Sequence, residues 1–483
     1  MRFGLLLLPT VPGTLEERKR LRPIAAHNDR WQAMLKEIVE FARMAENLGV
    51  EMVAFPEHHL HTEGLEVGSV PQLHLYVAMN TNHLRVGPIG YVLPGWNPLR
   101  LAIEIGWLDQ FTKGRTFVGF ARGYQHRWLN QMAQKLHVSA TTSDQSDIDK
   151  TNRKVFEEVF QILKLAWGDE PFSYKGEYYE YPYPYETGTP WPPHKWTEEY
   201  GAPGEVVDGK VKKIFVVPKP YQRPHPPLFQ AFSVSDETIV WCAKQGIIPM
   251  TLITHPDAMA RVAKLFQDES AKAGRKLELG QRIGVLRQIY FGQNKEETYR
   301  LAEMGTAGVG FGKFWGHFGF FEAFRLPGDE EKWPRGKALV PQSEWTVDRM
   351  DRAHYLFMGS ESDVRRKMDA LVEAANPEYF CWNFDQDDSD GRDEGSVADV
   401  RREDHAALPL KRPRSSEGRG AGASNRRLAS FFGGAKAPAE LRFGASEQAY
   451  PRRSRLGGGP DESQRRSGNC DGRRLGARRG DGP

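Results

Sequence analysis

The chain has 483 residues, of which 39% are hydrophobic and 11% aromatic, enough for one large domain with a sizeable core. Its three cysteines, Cys242, Cys381 and Cys470, are widely spaced, which argues against a disulfide framework or a zinc site and favours a reducing cytoplasm. Residues 411–483 hold 17 Lys and Arg against 7 Asp and Glu, a formal +10 that leaves −7 for residues 1–410, so the pI of about 8.5 does not indicate a nucleic-acid-binding body.

Apolar, strand-like runs recur along the chain, and most are followed by a helix-like segment. The predicted strands span 3–9, 51–56, 84–93, 116–120, 227–232, 247–253, 282–291 and 378–384. The predicted helices span 31–48, a segment capped by Asn97, 149–167, 236–244, 255–273, 295–304 and 360–375. No apolar run is as long as a membrane span, and the opening run 3–9 is too short for a signal peptide.

Eight buried-type strands that alternate with helices predict an α/β fold, a (β/α)8 TIM-type barrel with loop insertions and a disordered C-terminal tail. No GxGxxG motif follows the first strand, which argues against an open dinucleotide-binding sheet. The barrel domain is predicted over 1–388, with insertions at 171–217 and 310–350. The first insertion is rich in Tyr, Trp and Pro and is expected to form an ordered lid. Residues 389–483 are rich in Gly and Arg and are predicted to be disordered.

Polar residues concentrate where the predicted strands end, which is the face of a barrel that carries active sites. Glu57, His58 and His59 follow the second strand. They are a poor metal site, because adjacent side chains in an extended segment point in opposite directions and no third ligand is evident. A histidine at such a position is also compatible with a purely structural hydrogen bond.

Candidate anion-binding residues follow the fourth and fifth strands. Arg122 precedes a glycine, which suits close approach of a phosphate, although a structural ion pair is an alternative. Ser233 and Ser235 stand at a helix start, where free backbone N–H groups attract anions, although plain N-capping explains them as well. Asn97 is compatible with a simple helix cap. The coincidence of these signals at one barrel mouth favours a ligand site.

Several motifs resemble those of the luciferase-like flavin monooxygenases. The run from Val86 to Tyr124 reads VGPIGYVLPGWNPLRLAIEIGWLDQFTKGRTFVGFARGY and contains LPxxNPxR, LDQ, GR and ARGY. FPEHH after the second strand, PKPYQRPHPPLFQA from Pro218 to Ala231, and GSESDVRRKMDAL from Gly359 also match the family pattern. The resemblance covers about residues 1–388.

This resemblance implies a barrel that binds reduced FMN (FMNH2) or, in a sister branch of the family, a deazaflavin. His58 is the implied catalytic residue and Arg122 the implied phosphate ligand, while Ile89-Gly90 matches a strand bulge, often a non-proline cis peptide, against the isoalloxazine ring. The residues implied in cofactor binding are Glu57, Ile89, Gly90, Asn97, Arg122, Gly123, Tyr124, Arg153, Ser233, Ser235 and Thr238.

The implied reaction is insertion of one oxygen atom of O2 into a small organic substrate through a C4a-(hydro)peroxyflavin, with FMNH2 supplied by a separate flavin reductase. A cytoplasmic homodimer is expected, without a membrane or specific nucleic-acid partner. Two departures from luciferase proper, Ala121 in place of a cysteine and Asn97 in place of a histidine, argue against light emission.

Two other functions remain open from the sequence. A deazaflavin-dependent dehydrogenase or reductase on the same fold would transfer hydride without O2. A non-enzymatic flavin- or RNA-binding protein would use the Arg- and Gly-rich tail. The sequence leaves the substrate and the type of oxygenation undetermined.

Overall fold

The structure, a computed structural model, describes residues 1–68, 70–141, 146–335 and 337–384, and at Ser233 it describes the backbone only. The predicted tail at 389–483 lies outside these residues. The strands are β1 Arg2–Leu7, β2 Met52–Phe55, β3 Arg85–Pro88, β4 Tyr91–Val92, β5 Val118–Ala121, β6 Tyr174–Lys175, β7 Glu180–Tyr181, β8 Thr189–Pro190, β9 Val206–Val207, β10 Lys210–Val211, β11 Leu228–Ser233, β12 Ile248–Thr251, β13 Gly284–Phe291, β14 Leu356–Gly359 and β15 Tyr379–Phe384.

The helices surround the main sheet, and several begin at the side-chain caps that the sequence offers. They are α1 Leu15–Arg20, α2 Asn28–Asn47, α3 Pro71–Met79, α4 Pro98–Thr112, α5 His126–Met132, α6 Asp147–Trp167, α7 His194–Tyr200, α8 Asp236–Gln245, α9 Pro256–Lys272, α10 Lys295–Met304, α11 Asp329–Lys332, α12 Val347–Arg352 and α13 Glu361–Ala375. Single-turn 3-10 helices span Ile24–Ala26, Leu93–Gly95, Gln134–Leu136, Trp315–Phe318, Phe320–Phe324 and Gln342–Glu344, and a π-helix spans Thr306–Phe314.

The main sheet is parallel and closes into a barrel. Its strand order is β3-β2-β1-β15-β13-β12-β11-β5-β4, and β14 pairs with the C-terminal half of β13. A parallel bridge between Val86 of β3 and Thr116, two residues before β5, completes the ring. The predicted (β/α)8 barrel is confirmed, and each of its eight predicted strands corresponds to an observed barrel strand, with the third divided into β3 and β4.

Side-chain alternation separates two apolar cores, as expected for strands covered on both faces. On β1, Leu5 and Leu7 join the core between barrel and helices, whereas Leu6 belongs to the core inside the barrel. On β15, Phe380 packs outward and Cys381 inward by the same rule. The inner core continues into residues of the second insertion above the C-terminal ends of the strands.

The two insertions differ from each other in structure. The first contains the two-stranded antiparallel sheet β6–β7 and the three-stranded antiparallel sheet β8–β10–β9. The second is largely helical, and β14 directly follows it; that strand is absent from the sequence prediction. No helix within the described ranges is long and apolar enough to cross a membrane.

Candidate functional site

His58 lies just beyond the C-terminal end of β2 and is 6% exposed. Its Nε2 atom is 3.0 Å from the hydroxyl oxygen of Tyr124, which follows β5. Its Nδ1 atom is 3.3 Å from Oε2 of Glu66, whose side chain is equally buried. The end of β2 therefore places a histidine between a phenol and a carboxyl group at the barrel mouth.

Burial sets the protonation of this group. Desolvation holds the pKa of His58 well below its usual value, with further lowering from the neighbouring His61 and His59. Desolvation raises the pKa of Glu66 to about 8. The contact between them is therefore between a neutral imidazole and a protonated carboxyl at neutral pH, and not a salt bridge. The carboxyl O–H is a donor that faces a ring nitrogen able to accept.

His61 stacks on His58, with ring centroids 5.7 Å apart and planes within 5° of parallel. Its two ring nitrogens each lie 2.6 Å from an oxygen, the carbonyl of Leu65 and Oε1 of Gln125. The Gln125 amide is oriented by Trp128, whose indole N–H donates to the same Oε1 at 3.1 Å. Its Nε2 donates to the Tyr124 hydroxyl at 3.1 Å. Gln125 thus fixes the positions of both the His61 ring and the Tyr124 hydroxyl.

His58 faces the barrel mouth, whereas Glu57 contacts the segment around β4. The Glu57 carboxylate accepts hydrogen bonds from the backbone N–H of Val92 at 2.7 Å and from the indole N–H of Trp96 at 3.0 Å. It also lies 2.8 Å from Nε2 of His59. The buried Glu57 side chain therefore links the end of β2 to the segment around β4 by hydrogen bonds.

The bulge itself lies between β3 and β4. The peptide between Ile89 and Gly90 is cis, as the resemblance implies, and both residues are buried. A Cβ atom on Gly90 would lie 2.6 Å from the backbone of Gly119 and Phe120. The absence of a side chain thus permits this close approach to β5.

Arg122 follows β5 at the same barrel face. Its guanidinium donates a hydrogen bond from Nη1 to Oδ1 of Asp149 at 3.1 Å, and its backbone carbonyl accepts one from Nδ2 of Asn152 at 2.9 Å. Burial lowers the pKa of Arg122, and Asp149 opposes that effect. Gly123 has φ +81°, and a Cβ there would lie 2.5 Å from Cγ1 of Val92, so both conformation and packing require glycine.

Arg122 and the start of α8 follow the C-terminal ends of two neighbouring strands, because β5 and β11 pair in register with Gln230 opposite Phe120. Ser235 caps α8 and accepts a 3.4 Å hydrogen bond from the backbone N–H of Thr238. Their hydroxyls are 3.1 Å apart. The free N–H groups of that helix end and the Arg122 guanidinium thus belong to one edge of the barrel.

Arg153 and Asn97 are two further residues that the sequence predicts to bind the cofactor. Arg153 lies on α6, 31% exposed and 3.8 Å from Glu157, and its charge acts on both Arg122 and Cys242 of α8. Asn97 is exposed and caps α4 by accepting from the backbone N–H of Arg100 at 3.1 Å. Of the two, Arg153 is the residue whose charge reaches both Arg122 and α8.

Aromatic side chains of the second insertion cover the mouth. The rings of Phe318 and Phe320 pack edge-on against Tyr124, with centroids 5.1 and 4.9 Å away. The Trp315 side chain lowers the pKa of both Glu66 and Tyr124 and so opposes the larger effect of their burial. The sequence analysis missed Glu66, Gln125, Asp149 and this aromatic cover, since each lies outside the motifs. The described residues contain no cluster of three or more His, Cys, Asp or Glu arranged to hold a metal ion.

Comparison of the sequence with known proteins identifies relatives of this chain. The family model described as luciferase-like monooxygenase matches residues 1–376. The 3,6-diketocamphane 1,6-monooxygenase of Pseudomonas putida is 23% identical over 349 residues, covering 70% of this chain and 82% of that protein. A shorter match, 33% identical, covers 25% of this chain and 34% of a luciferase-like monooxygenase of Escherichia coli strain K12.

Solved structures share the fold. The oxygenating constituent of 3,6-diketocamphane monooxygenase from Pseudomonas putida, a type II Baeyer–Villiger monooxygenase in complex with FMN, has a TM-score of 0.56 at 19% identity and covers 80% of this chain and 92% of that chain. An F420-dependent secondary alcohol dehydrogenase has a TM-score of 0.50 at 14% identity and covers 81% of this chain and 94% of that chain.

Proposed function

On the premise that this chain belongs to the luciferase-like monooxygenase family, we propose that it binds reduced FMN and uses O2 to insert one oxygen atom into a small organic substrate. The family, the enzyme class and the barrel inferred from the sequence are confirmed by the same match and by the fold of the FMN-bound monooxygenase. The observation that carries the proposal is His58, buried and neutral between Tyr124 and Glu66, on the barrel face that also holds Arg122.

The residues at this face fit the parts of FMN. The Arg122 guanidinium and the N-terminus of α8 supply positive charge and free N–H groups for a phosphate, with Arg153 nearby. The buried Ile89–Gly90 bulge supplies an apolar surface for a planar ring system. These residues would hold the cofactor, and Glu57 would keep the bulge in place.

When bound, reduced FMN supplies the activation of O2. The protein's part is to exclude water and to manage protons. Phe318, Phe320 and Trp315 cover the mouth. His58 holds a proton at one ring nitrogen and accepts at the other, so it can move a proton at Nε2 while Glu66 replaces it at Nδ1. Tyr124 positions the imidazole.

The type of oxygenation follows from the named relatives. Both a sequence relative and a structural neighbour are diketocamphane monooxygenases, and the latter is described as a Baeyer–Villiger enzyme. We therefore propose oxygen insertion beside a carbonyl group of an apolar ketone. A separate flavin reductase, a homodimeric state and a cytoplasmic location complete the proposal.

The test is anaerobic titration of the full chain with FMNH2, followed by 18O2 and a panel of cyclic ketones, with products read by mass spectrometry. We expect FMNH2 to bind and one 18O atom to enter a ketone. Binding of a reduced deazaflavin in place of FMNH2, with hydride transfer in the absence of O2, would replace this proposal by the dehydrogenase alternative. Absence of binding to either cofactor would overturn both.

A further inference from the structure

Two buried amide side chains inside the barrel have polar atoms without a partner. Gln288 is 1% exposed, and neither its Nε2 nor its Oε1 has a hydrogen bond within the described residues. Asn383 is 3% exposed, and its Oδ1 is likewise unpaired there. Its Nδ2 donates to the hydroxyl of Tyr355 at 3.1 Å. Buried polar groups are nearly always paired, so three unpaired atoms at one place point to a binding partner that the protein chain does not provide.

The alternation of side chains places both amides on the inner face. On β13, Leu286 and Tyr290 belong to the inner core, so Gln288 between them points inward. On β15, Cys381 is inward, and Asn383 is the next inward position. The residues before them, Arg287 and Trp382, are the last register partners of these two strands, so each amide comes directly after the same paired position; Gln288 then pairs with Leu356 of β14.

These amides form the upper layer of the barrel interior. Each is the third inward position of its strand, counted from the N-terminal end, and the third layer lies toward the C-terminal mouth. The strands that carry the pair, β15 and β13, are separated from β3 and its bulge by β2 and β1.

A continuous aromatic wall connects this layer to His58. The Tyr355 ring packs against Phe311, with centroids 5.1 Å apart. Phe311 is 6.1 Å from Phe320, and Phe320 is 4.9 Å from Tyr124, which hydrogen-bonds His58. A ligand between the wall and the strands would therefore meet His58 at one end and the amides at the other.

We propose that Gln288 and Asn383 form a polar subsite that binds an uncharged oxygen function, a ketone or an alcohol, of an otherwise apolar substrate. This proposal rests on the proposed function for its reaction but not for the binding itself. The amides offer both donors and acceptors and no charge, which suits a carbonyl or hydroxyl. The aromatic wall suits the apolar body of the ligand. Holding the distal oxygen orients the substrate relative to His58.

The test measures binding without any reaction. Dissociation constants of cyclohexanone and of methylenecyclohexane, which has a CH2 group in place of the carbonyl oxygen, are determined with the full chain by ligand-observed NMR. We expect the ketone to bind roughly tenfold more tightly, as a hydrogen bond in a buried site allows. We expect Gln288→Met and Asn383→Leu to abolish that preference while methylenecyclohexane binds as before.

Gln230→Met is the matched control. Gln230 is a buried amide of β11 with an unpaired Oε1, but it lies between the inward residues Phe229 and Ala231 and so faces outward. The Gln230→Met variant should therefore keep the preference for cyclohexanone over methylenecyclohexane. Thermal unfolding without ligand checks that each variant folds. A wild-type chain without preference for the ketone, or a preference that persists in folded Gln288→Met and Asn383→Leu, would overturn the subsite. Binding of FMNH2 is measured separately, so failure of the subsite is distinguishable from failure of the proposed function.

Discussion

The Nδ1 atom of His58 and Oε2 of Glu66 lie 3.3 Å apart, and neither has another hydrogen-bond partner within the part of the chain that the structure describes. Burial opposes charge on both groups, since it lowers the pKa of His58 and raises that of Glu66 to about 8. The proton of the pair therefore resides on the carboxyl group at neutral pH. An imidazole with such a neighbour can lose a proton on one side and recover it on the other.

The raised pKa of Glu66 predicts a specific dependence of stability on pH. Between about 4.5 and about 8, the unfolded chain has released this proton and the folded chain has kept it. The free energy of unfolding should therefore fall as pH rises through that range, by at most about 5 kcal/mol, and level off above it. Glu66→Gln should remove this decline.

Denaturant unfolding at pH 5 to 9 measures the effect as the difference between wild type and Glu66→Gln. Glu177→Gln is the control, because that carboxylate is exposed and pairs with Lys154 on the surface. A wild-type curve parallel to that of Glu66→Gln would show that Glu66 titrates normally.

Arg122 is predicted to recognise the phosphate of FMN. Arg122→Ala should weaken FMN binding by roughly 10- to 100-fold, because a charge-assisted hydrogen bond is lost. Riboflavin has no phosphate, so its affinity should be unchanged. Fluorescence titration with both flavins measures the two constants. Arg127→Ala is the control, an exposed arginine on the helix that follows the same strand. Equal losses for FMN and riboflavin would assign Arg122 a structural role.

The fold could be predicted from the sequence because buried parallel strands leave a strong periodic signal. Each of the eight barrel strands produces an apolar run that reflects burial on both faces. β14 was not predicted because its four residues, LFMG, follow an irregular insertion and precede a helix cap. The apolar run therefore has no clear boundary that would mark it as a strand. The interruption of the third strand reflects packing of Gly90 against β5, which is invisible in a linear pattern.

The sequence predicted only those site residues that belong to recognisable motifs. His58, Arg122 and Tyr124 belong to runs that mark strand ends, and the structure places all three at the barrel mouth. Glu66 was missed because its partner is set by the path of the loop after β2, where it adopts φ +46°. Gln288 was missed because a polar residue within an apolar strand gives no indication of the face to which it belongs.

His58 is predicted to direct oxygen to the substrate. His58→Gln should bind FMNH2 as wild type does but yield mainly H2O2, because proton transfer at Nε2 is lost; general acid–base catalysis typically contributes roughly 100- to 10,000-fold. Tyr124→Phe should show a smaller loss, since it removes only the positioning hydroxyl. The measurement is the ratio of oxygenated product to H2O2 per FMNH2 consumed.

His74→Gln is the matched control for that experiment. His74 is also fully buried and also pairs with a tyrosine, its Nδ1 being 3.0 Å from the Tyr91 hydroxyl, but it lies on α3 outside the barrel. Its substitution should lower stability without changing the product ratio. An equal shift toward H2O2 in His74→Gln and His58→Gln would indicate a general effect of buried histidines.

Gly90 is predicted to be essential to the bulge for steric reasons. A methyl group there would lie 2.6 Å from backbone atoms of Gly119 and Phe120, and backbone cannot rotate away as a side chain can. Gly90→Ala should therefore destabilise the fold by about 1–3 kcal/mol, as overpacking does, and weaken FMN binding. Gly95→Ala is the control, because the nearest atom to its added Cβ is a side-chain carbon of Trp128 at 3.5 Å, an ordinary contact. Denaturant unfolding of both variants is the measurement, and equal stabilities would mean that β3 and β5 can separate at the bulge without cost.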